Sequence, residues 1–154
     1  MLVGNLLNNP LADSFVTLED AVAYLEIENH ASGTPYYRWI NGSEEVQTGT
    51  LVRASRWLAS AMPWTRRNLT PNDLIAVGRV TARLAALSLD LDLFKADTPS
   101  KDKKRVKAEG VEVEFATGLT AHAAGQRWPW LYPALYGLID EGRRARTGLG
   151  VFVV

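Results

Sequence analysis

Apolar residues recur at helical spacing along much of the chain, a pattern that predicts a mainly helical fold. The first clear run follows Thr17, a residue that can cap a helix, with the acid Asp20 three positions later. Its apolar positions fall on one face and are Leu18, Ala21, Val22 and Leu25. We therefore predict a helix over about 17–27. Residues 1–13 mix Asn, Gly and Leu, and their apolar residues show no helical or strand-like spacing, so we interpret them as an N-terminal arm.

Two further helices are predicted downstream. The second begins near Thr50 and ends at Pro63. Its inward positions are Leu51, Ala54, Leu58 and Ala61. The third has Thr70 as cap, Pro71 in its first turn and Asp73 at its third position. Its stripe runs for nearly five turns through Leu74, Val77, Thr81, Leu84, Ser88 and Leu91.

Residues 29–49 separate the first two predicted helices and are rich in Gly, Pro, Asn and Ser. This composition is typical of loops. We interpret the stretch as a loop that three aromatic side chains pin to the body, namely Tyr36, Tyr37 and Trp39.

The pattern changes after residue 95. Val111, Val113 and Phe115 alternate with two glutamates, the period of a half-buried strand, and Glu109-Gly110 suggests a hairpin turn with residues 105–108 as partner. Further on, Pro133 can open a fourth helix that ends at Gly142 and turns three residues inward, Leu135, Leu138 and Ile139. The expected fold is a mainly α single domain over 1–154. It consists of a small bundle of about four helices, a short β-hairpin and extended N- and C-terminal arms.

Composition narrows the class of protein. The chain has 154 residues, 47% hydrophobic and 22% charged, a balance typical of soluble globular domains. It contains no cysteine, which excludes disulfides and thiolate chemistry and fits a reducing cytoplasm. No apolar run reaches the roughly 18–20 residues that cross a bilayer. The first residues lack the basic and apolar regions of a signal peptide, so we expect no membrane association.

Charge is distributed unevenly although its sum is zero. Residues 1–50 contain seven acids and one base, and residues 51–154 contain ten acids and sixteen bases, so the two parts carry −6 and +6. Two interpretations stand side by side. The surfaces are simply solvated, or the subunit has an acidic end and a basic end that suit packing against other chains.

The groups needed for catalysis are scarce. His30 and His122 lie far apart and in no metal-ligand spacing. The candidate serines Ser14, Ser43 and Ser60 lack a nucleophile elbow, and Gly148-Leu149-Gly150 lacks the rest of a phosphate-binding loop. We interpret three acids near the end of the long helix as solvent-exposed, namely Asp90, Asp92 and Asp97. We expect no catalytic residues, no metal and no cofactor.

Two basic runs are the strongest candidates for contacts with other molecules. The first comprises Lys101, Lys103, Lys104, Arg105 and Lys107. The second comprises Arg143, Arg144 and Arg146. Basic runs beside aromatics can bind single-stranded nucleic acid, and aromatics surround the fourth predicted helix: Trp128, Trp130, Tyr132 and Tyr136. The alternatives are a basic loop that faces neighbours or solvent, and aromatics that belong to the core.

The C-terminal tail, residues 143–154, continues from its arginines into apolar side chains that need cover: Leu149, Val151, Phe152, Val153 and Val154. Leaving four such side chains in water forgoes several kcal/mol of burial, at roughly 25 cal/mol per Å². Either the tail packs as a last strand against its own hairpin, or it adds a strand or an apolar plug to a neighbouring subunit.

Several segments, taken in order, match a family pattern. Residues 14–25 (SFVTLEDAVAYL) look like an opening S-Y-V-s-x-x-E-A-x-x-Y-L/F segment, and residues 51–58 (LVRASRWL) are similar to an A-L-x-R-A-T-x-x-L-D helix, with Ala59 in place of its Asp. Four further features follow in the family's order. They are Trp64, the capped helix at Thr70, the basic stretch leading into residues 111–115 and the segment 130–138. Together they resemble the head-to-tail adaptor (connector) proteins of tailed bacteriophages, over about residues 14–139.

This resemblance implies a helical bundle with a small hairpin, assembled as a ring, commonly of twelve copies, around the DNA channel. Such a ring lies between the portal protein and the tail-side neck, stopper or terminator proteins, in the virion neck after assembly in the host cytoplasm. By hypothesis, the tail and its arginines dock on the portal or an adjacent subunit, and the run at 101–107 lines the channel or contacts a neighbour. Some proteins with this pattern are described as DnaT-like single-stranded-DNA-binding proteins, which is the alternative function.

Overall fold

The computed structural model describes residues 2–28, 31–95, 124 and 127–140. Its helices are α1 (Leu18–Ile27), α2 (Pro35–Ile40), α3 (Glu44–Ala61), α4 (Pro71–Leu87) and the single turn α5 (Leu131–Ala134). Ala124 and Arg127 are also helical, and the remaining described backbone forms turns, bends, irregular segments and an isolated antiparallel bridge between Trp64 and Ile139. The mainly helical class is therefore confirmed. The predicted β-hairpin, residues 105–115, lies outside the described residues.

The starts of α1 and α4 are where the capping pattern predicts them. The Thr17 hydroxyl accepts a hydrogen bond from the Asp20 amide at 3.2 Å. At α4, the Thr70 hydroxyl accepts from the Asp73 amide at 3.2 Å and the Asp73 carboxylate accepts from the Thr70 amide at 3.1 Å, a complete capping box. Each pair satisfies amides that a helix N-terminus otherwise leaves without a partner.

The prediction of a loop over 29–49 is wrong for most of the stretch. Thr34 caps α2 and Pro35 occupies its first turn. Ser43 caps α3 by accepting from the Val46 amide at 3.2 Å, so this helix begins at Glu44 rather than near Thr50. The same Thr, Pro and Ser residues that suggested a loop here stabilise helix N-termini. The predicted end of α3 before Pro63 is confirmed.

The other two predicted helices are shorter than expected. Helix α4 ends at Leu87 rather than near Leu91, because the chain turns at the C-cap Ser88, whose hydroxyl donates to the Ala85 carbonyl at 2.6 Å. The fourth predicted helix is reduced to the single turn α5, which begins at Leu131, so Pro133 lies inside it rather than opening it. Gly137, in the left-handed conformation at φ +83°, does not fit the predicted continuation of this helix. The inward positions predicted there are nevertheless buried, namely Leu135, Leu138 and Ile139.

Helix α4 is the centre of the bundle and packs against α1, α2, α3 and α5. Almost every turn of it is buried, and many of the buried positions are small: Val77, Gly78, Val80, Thr81, Ala82, Leu84, Ala85 and Ala86. Small side chains let neighbouring helices approach closely on several sides at once. The central helix can therefore contact all the others.

The directions of the helices follow from side-chain contacts. Arg79 lies over the ring of Tyr24, and Arg83 binds Glu28 with Nε and Oε1 3.0 Å apart, so α1 runs parallel to α4. Arg53, near the middle of α3, binds Asp92, which follows the C-terminal end of α4, and the short loop of residues 62–70 joins the end of α3 to the start of α4, so α3 runs antiparallel to α4. The bundle thus has one end at the α3–α4 loop (residues 62–70) and the other at the C-terminus of α4.

The segment predicted as an N-terminal arm packs against the body at the α3–α4 loop. The Asn8 side chain accepts from the Leu69 amide at 3.1 Å, and the Asn5 and Asn8 side-chain amides both donate to the Leu69 carbonyl. The side chain of Leu2 joins the core. These contacts fix the residues that lead into the cap of α4.

Gly78 of α4 packs closely against Tyr24 of α1 and against Val16, which precedes α1, and this close contact gives a stability prediction. A Cβ there would lie 3.2 Å from the side chains of Tyr24 and Val16. Gly49, on the outer face of α3, has open space at the same position. We expect Gly78→Val to destabilise the protein by about 1–3 kcal/mol through overpacking. The matched Gly49→Val should change the free energy of unfolding by about 0.5 kcal/mol or less. Urea denaturation of both variants tests this, and equal stabilities would show that the close crossing is absent.

Candidate docking surfaces at the two ends of the bundle

The predicted contact residues lie outside the described residues. This applies to the basic run Lys101, Lys103, Lys104, Arg105 and Lys107 and to the tail residues Arg143, Arg144, Arg146, Leu149, Val151, Phe152, Val153 and Val154. It also applies to His30, His122 and Asp97. The structure does describe the surfaces at which the chain stops before each segment, at Lys95 and at Asp140, and these surfaces are the candidate sites.

The residues that precede the tail are bound to the α3–α4 loop. The Asp140 amide donates to the Pro63 carbonyl at 2.8 Å, and the Thr65 amide donates to the Leu138 carbonyl at 3.1 Å. The bridge between Trp64 and Ile139 lies between these two bonds. Trp64 is itself held inside, because its indole Nε1 donates to the Leu58 carbonyl at 2.9 Å. The last described residues, 138–140, are therefore fixed at the α3–α4 end of the bundle.

Two arginines that the sequence reasoning missed are exposed on the same loop. Arg66 and Arg67 follow Thr65 directly, and both are exposed. Arg66 lies 3.4 Å from the Asp73 carboxylate and keeps 56% of its side chain in solvent. Two consecutive arginines between two predicted helices were the sequence signal that could have indicated this surface. The sequence could not show that they lie close to residues 138–140, because that depends on a contact between residues far apart in the sequence.

The basic run of 101–107 is preceded by the opposite end of the bundle. There Arg38 binds Asp90 through two nitrogens, at 3.1 and 2.7 Å, and Arg53 binds Asp92 at 3.0 Å. Hydrogen bonds from Arg38 lower the pKa of Asp90, and the same contact raises the pKa of Arg38. Asp90 is exposed as predicted, whereas Asp92 is half-buried, and each has a specific arginine partner that helical spacing alone did not reveal.

These salt bridges flank a shallow cleft of about 340 Å³ between α3 and residues 88–93. Its walls include Thr50 and Arg53 from α3 and both aspartates of the turn. The charged groups of the cleft pair with each other, and each pair is largely exposed to solvent. Such pairs tie the end of α4 to α2 and α3, and they leave the cleft without an isolated acid or base.

The two candidate surfaces are separated by the length of the central helix. Helix α4 has 17 residues. At 1.5 Å per residue, its ends lie about 25 Å apart. The chain leaves the described body at Lys95 near one end and at Asp140 near the other. The body therefore presents two separate places at which neighbouring molecules can attach.

Between the two ends of α4, a half-buried cluster of side chains holds residues 128–140, the last described segment, against the bundle. The Arg83 guanidinium lies over the Trp130 ring, 5.1 Å from its centroid, and also binds Glu28. Tyr36 is close to both charges, and its burial raises the pKa of its hydroxyl. Of the aromatics around α5, Trp128 and Tyr132 belong to the core, whereas Tyr136 is 82% exposed. The cluster and the α3–α4 loop together fix residues 128–140 at two points.

The serines considered as nucleophiles have structural partners. The Ser14 hydroxyl is fully buried and donates to the Val16 carbonyl at 2.7 Å. Ser43 caps α3, and Ser60 donates to the Arg56 carbonyl at 3.0 Å. Among the residues that the structure describes, no three His, Asp or Glu side chains come together as a metal site would require.

Asp73 makes the helix cap at the docking end sensitive to acid. A hydrogen bond from the Thr70 amide, the main cause, lowers the pKa of Asp73 below its usual 3.8. A carboxyl whose folded-state pKa is lowered contributes stability above its unfolded pKa, and this stability is lost as the pH falls through the folded value. We therefore expect wild type to be more stable than Asp73→Asn at pH 7, with the difference shrinking below about pH 4. Urea midpoints across this range test the prediction, and a constant difference would contradict it.

Comparisons with known proteins give no relative: no family model, no curated protein and no solved structure matches the chain. Within the described part of the chain, no helix has both the length and the apolar character to cross a membrane.

Proposed function

We propose that this chain is a structural protein of a tailed-phage virion, a subunit of the adaptor ring between the portal and the tail-side neck proteins. The observation that carries the proposal is where the described chain stops before each of the two contact segments. It stops at Lys95, after the C-terminal end of α4, and at Asp140, which is bound to the α3–α4 loop at the opposite end of the bundle. A subunit that joins two different partners needs this arrangement.

The order of sequence motifs supports the same proposal, because they resemble the adaptor family over most of the chain. In this proposal twelve copies form the ring around the DNA channel, which the DNA passes without sequence-specific contact. The tail residues from Arg143 onward dock on the portal or on an adjacent subunit. The run at 101–107 lines the channel or contacts a neighbour, and charge reversal of its lysines, with DNA retention in the particle as readout, separates these two roles.

A single-stranded-DNA-binding protein of the DnaT-like type is the second candidate. The observation that favours it is the exposed ring of Tyr136, two residues before Leu138, whose carbonyl binds the Thr65 amide just before the exposed Arg66 and Arg67, since stacking surfaces and basic side chains together bind single strands. Such binding weakens steeply as salt concentration rises.

Two binding experiments on the purified protein separate the candidates. The adaptor proposal predicts saturable binding to portal rings assembled from the portal protein of the same phage, and little affinity for free DNA. The alternative predicts a salt-sensitive gel shift with single-stranded oligothymidylate and no binding to portal rings. The second pattern would exclude the adaptor function.

A further inference from the structure

We infer that copies of this chain pack side by side, with the exposed face of α1 in one copy against the exposed face of α3 in the next. Such a contact deepens the proposed function and rests on it, since a ring needs contacts between neighbouring copies. Two different faces of one chain that fit each other generate a ring or a filament rather than a closed dimer.

The exposed face of α1 has an apolar centre flanked by acids. Ile27 keeps 79% of its side chain in solvent, and Ala23, one turn earlier on the same face, is also exposed. Glu19, Asp20 and Glu26 surround them and are exposed. Among the residues that the structure describes, no salt bridge to these three acids is found. The described chain therefore leaves both the apolar centre and the acids of this face uncovered.

The exposed face of α3 has basic side chains and a notch. Arg56 is exposed on it, and no salt bridge to Arg56 is found within the described part of the chain. Arg53 binds Asp92 but keeps 59% of its side chain in solvent. Gly49, one turn before Arg53, would have no atom within 4 Å of an added Cβ, and Val46 beside it is 45% exposed. The glycine leaves room for an apolar side chain of a neighbour.

The height of the notch along α4 follows from two contacts. The Val16 side chain lies beside Gly78 of α4. The amide of Phe15, the residue before Val16, donates to the Ser55 hydroxyl at 3.1 Å, so Ser55 of α3 is about level with Gly78. Because α3 runs antiparallel to α4, Gly49 lies six residues, or about 9 Å, from Ser55 toward the C-terminal end of α4.

Ile27 of α1 reaches the same height. Glu28, the residue after it, accepts a hydrogen bond from Arg83 at 3.0 Å. Arg83 lies five residues beyond Gly78 along α4, a rise of about 8 Å. Ile27 and Gly49 are therefore about level. Rotation about an axis parallel to α4 keeps heights unchanged, so copies related by such an axis can place Ile27 of one copy in the Gly49 notch of the next.

The directions of the helices then bring opposite charges together. Since α1 is parallel and α3 antiparallel to α4, the two faces meet antiparallel. Glu19 lies eight residues from Ile27 and Arg56 seven residues from Gly49, both toward the N-terminal end of α4, at about 12 and about 11 Å. Glu45 of α3 lies on the other side of Gly49, beyond the end of α1. Opposite charges at matching positions fix the register of the contact.

Disulfide trapping tests this contact, because the chain has no cysteine of its own. The variant Ile27→Cys/Gly49→Cys puts one thiol on each face. Tyr136→Cys/Gly49→Cys is the matched control, since Tyr136 is as exposed as Ile27, 82% against 79%. Both variants are oxidised at the same protein concentration and followed on non-reducing gels, and circular dichroism checks that both fold.

The two variants should differ in rate and in product. We expect Ile27→Cys/Gly49→Cys to form a ladder of covalent dimers, trimers and larger species about tenfold faster than the control, because the contact raises the effective concentration of the two thiols. Equal rates would overturn this inference, and the proposed function would still stand if the chain saturates portal rings. Dimers without larger species would also overturn it, since they indicate a closed two-fold contact.

Charge reversal tests the register of the same contact. Adding Glu19→Lys to Ile27→Cys/Gly49→Cys should slow the trapping severalfold, and adding Arg56→Glu as well should restore most of the rate, because the pair is then reversed rather than repulsive. Slowing without restoration would overturn the pairing of the two faces. A ladder from a chain that does not bind portal rings would keep the side-by-side contact and overturn the proposed function.

Discussion

Replacing Trp39 by alanine is expected to remove about 3–5 kcal/mol of folding free energy, the largest effect of any single substitution proposed for this chain. Trp39 is fully buried between α2 and α3. Its indole Nε1 donates to the Thr50 hydroxyl at 2.7 Å, and its carbonyl accepts from the Gln47 side chain at 2.9 Å. Alanine would leave a cavity between helices and remove the side-chain bond.

Two control variants isolate the cause of this loss. Tyr37 is next to Trp39 in α2 but 42% exposed, so Tyr37→Ala should cost less than about 1 kcal/mol. Trp39→Phe keeps most of the apolar volume and should fall between the two alanine variants. Guanidinium denaturation measures all three. If Trp39→Ala unfolds at the same denaturant concentration as Tyr37→Ala, the packing of α2 on α3 is not as described.

Deleting residues 148–154 is expected to weaken binding to portal rings by at least about 100-fold while leaving the body folded. The deletion removes Val151, Phe152, Val153 and Val154, and burying even two such side chains contributes about 3 kcal/mol, which corresponds to that factor. The described contacts of the body end at Asp140, so none of them is removed.

A full-length variant with Val151→Ser and Phe152→Ser serves as the control for chain length. It should lose most of the affinity that the deletion loses, since the apolar side chains rather than the backbone are expected to carry the binding. Circular dichroism and thermal melting should show wild-type helicity for both. Full saturation of portal rings by the truncated chain would show that the tail has another role.

The helices that the sequence predicted correctly are those whose signals are local. Thr17 and Thr70 each have an acid three residues later, and the two capping arrangements exist in the structure. Apolar positions at helical spacing then identify the buried faces of α1 and α4. Both signals concern residues within one or two turns of each other, so they do not depend on the rest of the fold.

The stretch 29–49 shows where local composition misleads. Pro35 and Ser43 are typical of loops and also of the first turns of helices, and composition alone does not separate the two. The packing of Trp39 against α3 decides between them here. The end of α4 was predicted too late for a different reason. The residues that follow Leu87 are bound by salt bridges of Asp90 and Asp92, and these salt bridges join residues about 40 to 50 positions apart in the sequence.

The candidate docking end could be predicted only in part. The tail arginines form a run that is visible in the sequence, whereas Arg66 and Arg67 are brought close to residues 138–140 only through the contacts of Pro63 and Thr65 with that segment. These contacts close a separation of more than 70 residues along the chain. Periodicity and capping cannot indicate such a contact, and the basic end becomes visible only in the folded structure.

The adaptor proposal makes this chain part of a phage neck, and electron cryomicroscopy of such a neck, isolated from the proposed phage source, tests this central claim most directly. The adaptor proposal predicts a ring of density against the tail-side face of the portal, into each subunit of which the α1, α3 and α4 bundle fits with its α3–α4 end toward a protein neighbour. A neck in which the portal joins the tail-side proteins directly, with the chain absent from the purified virions by mass spectrometry, would contradict it.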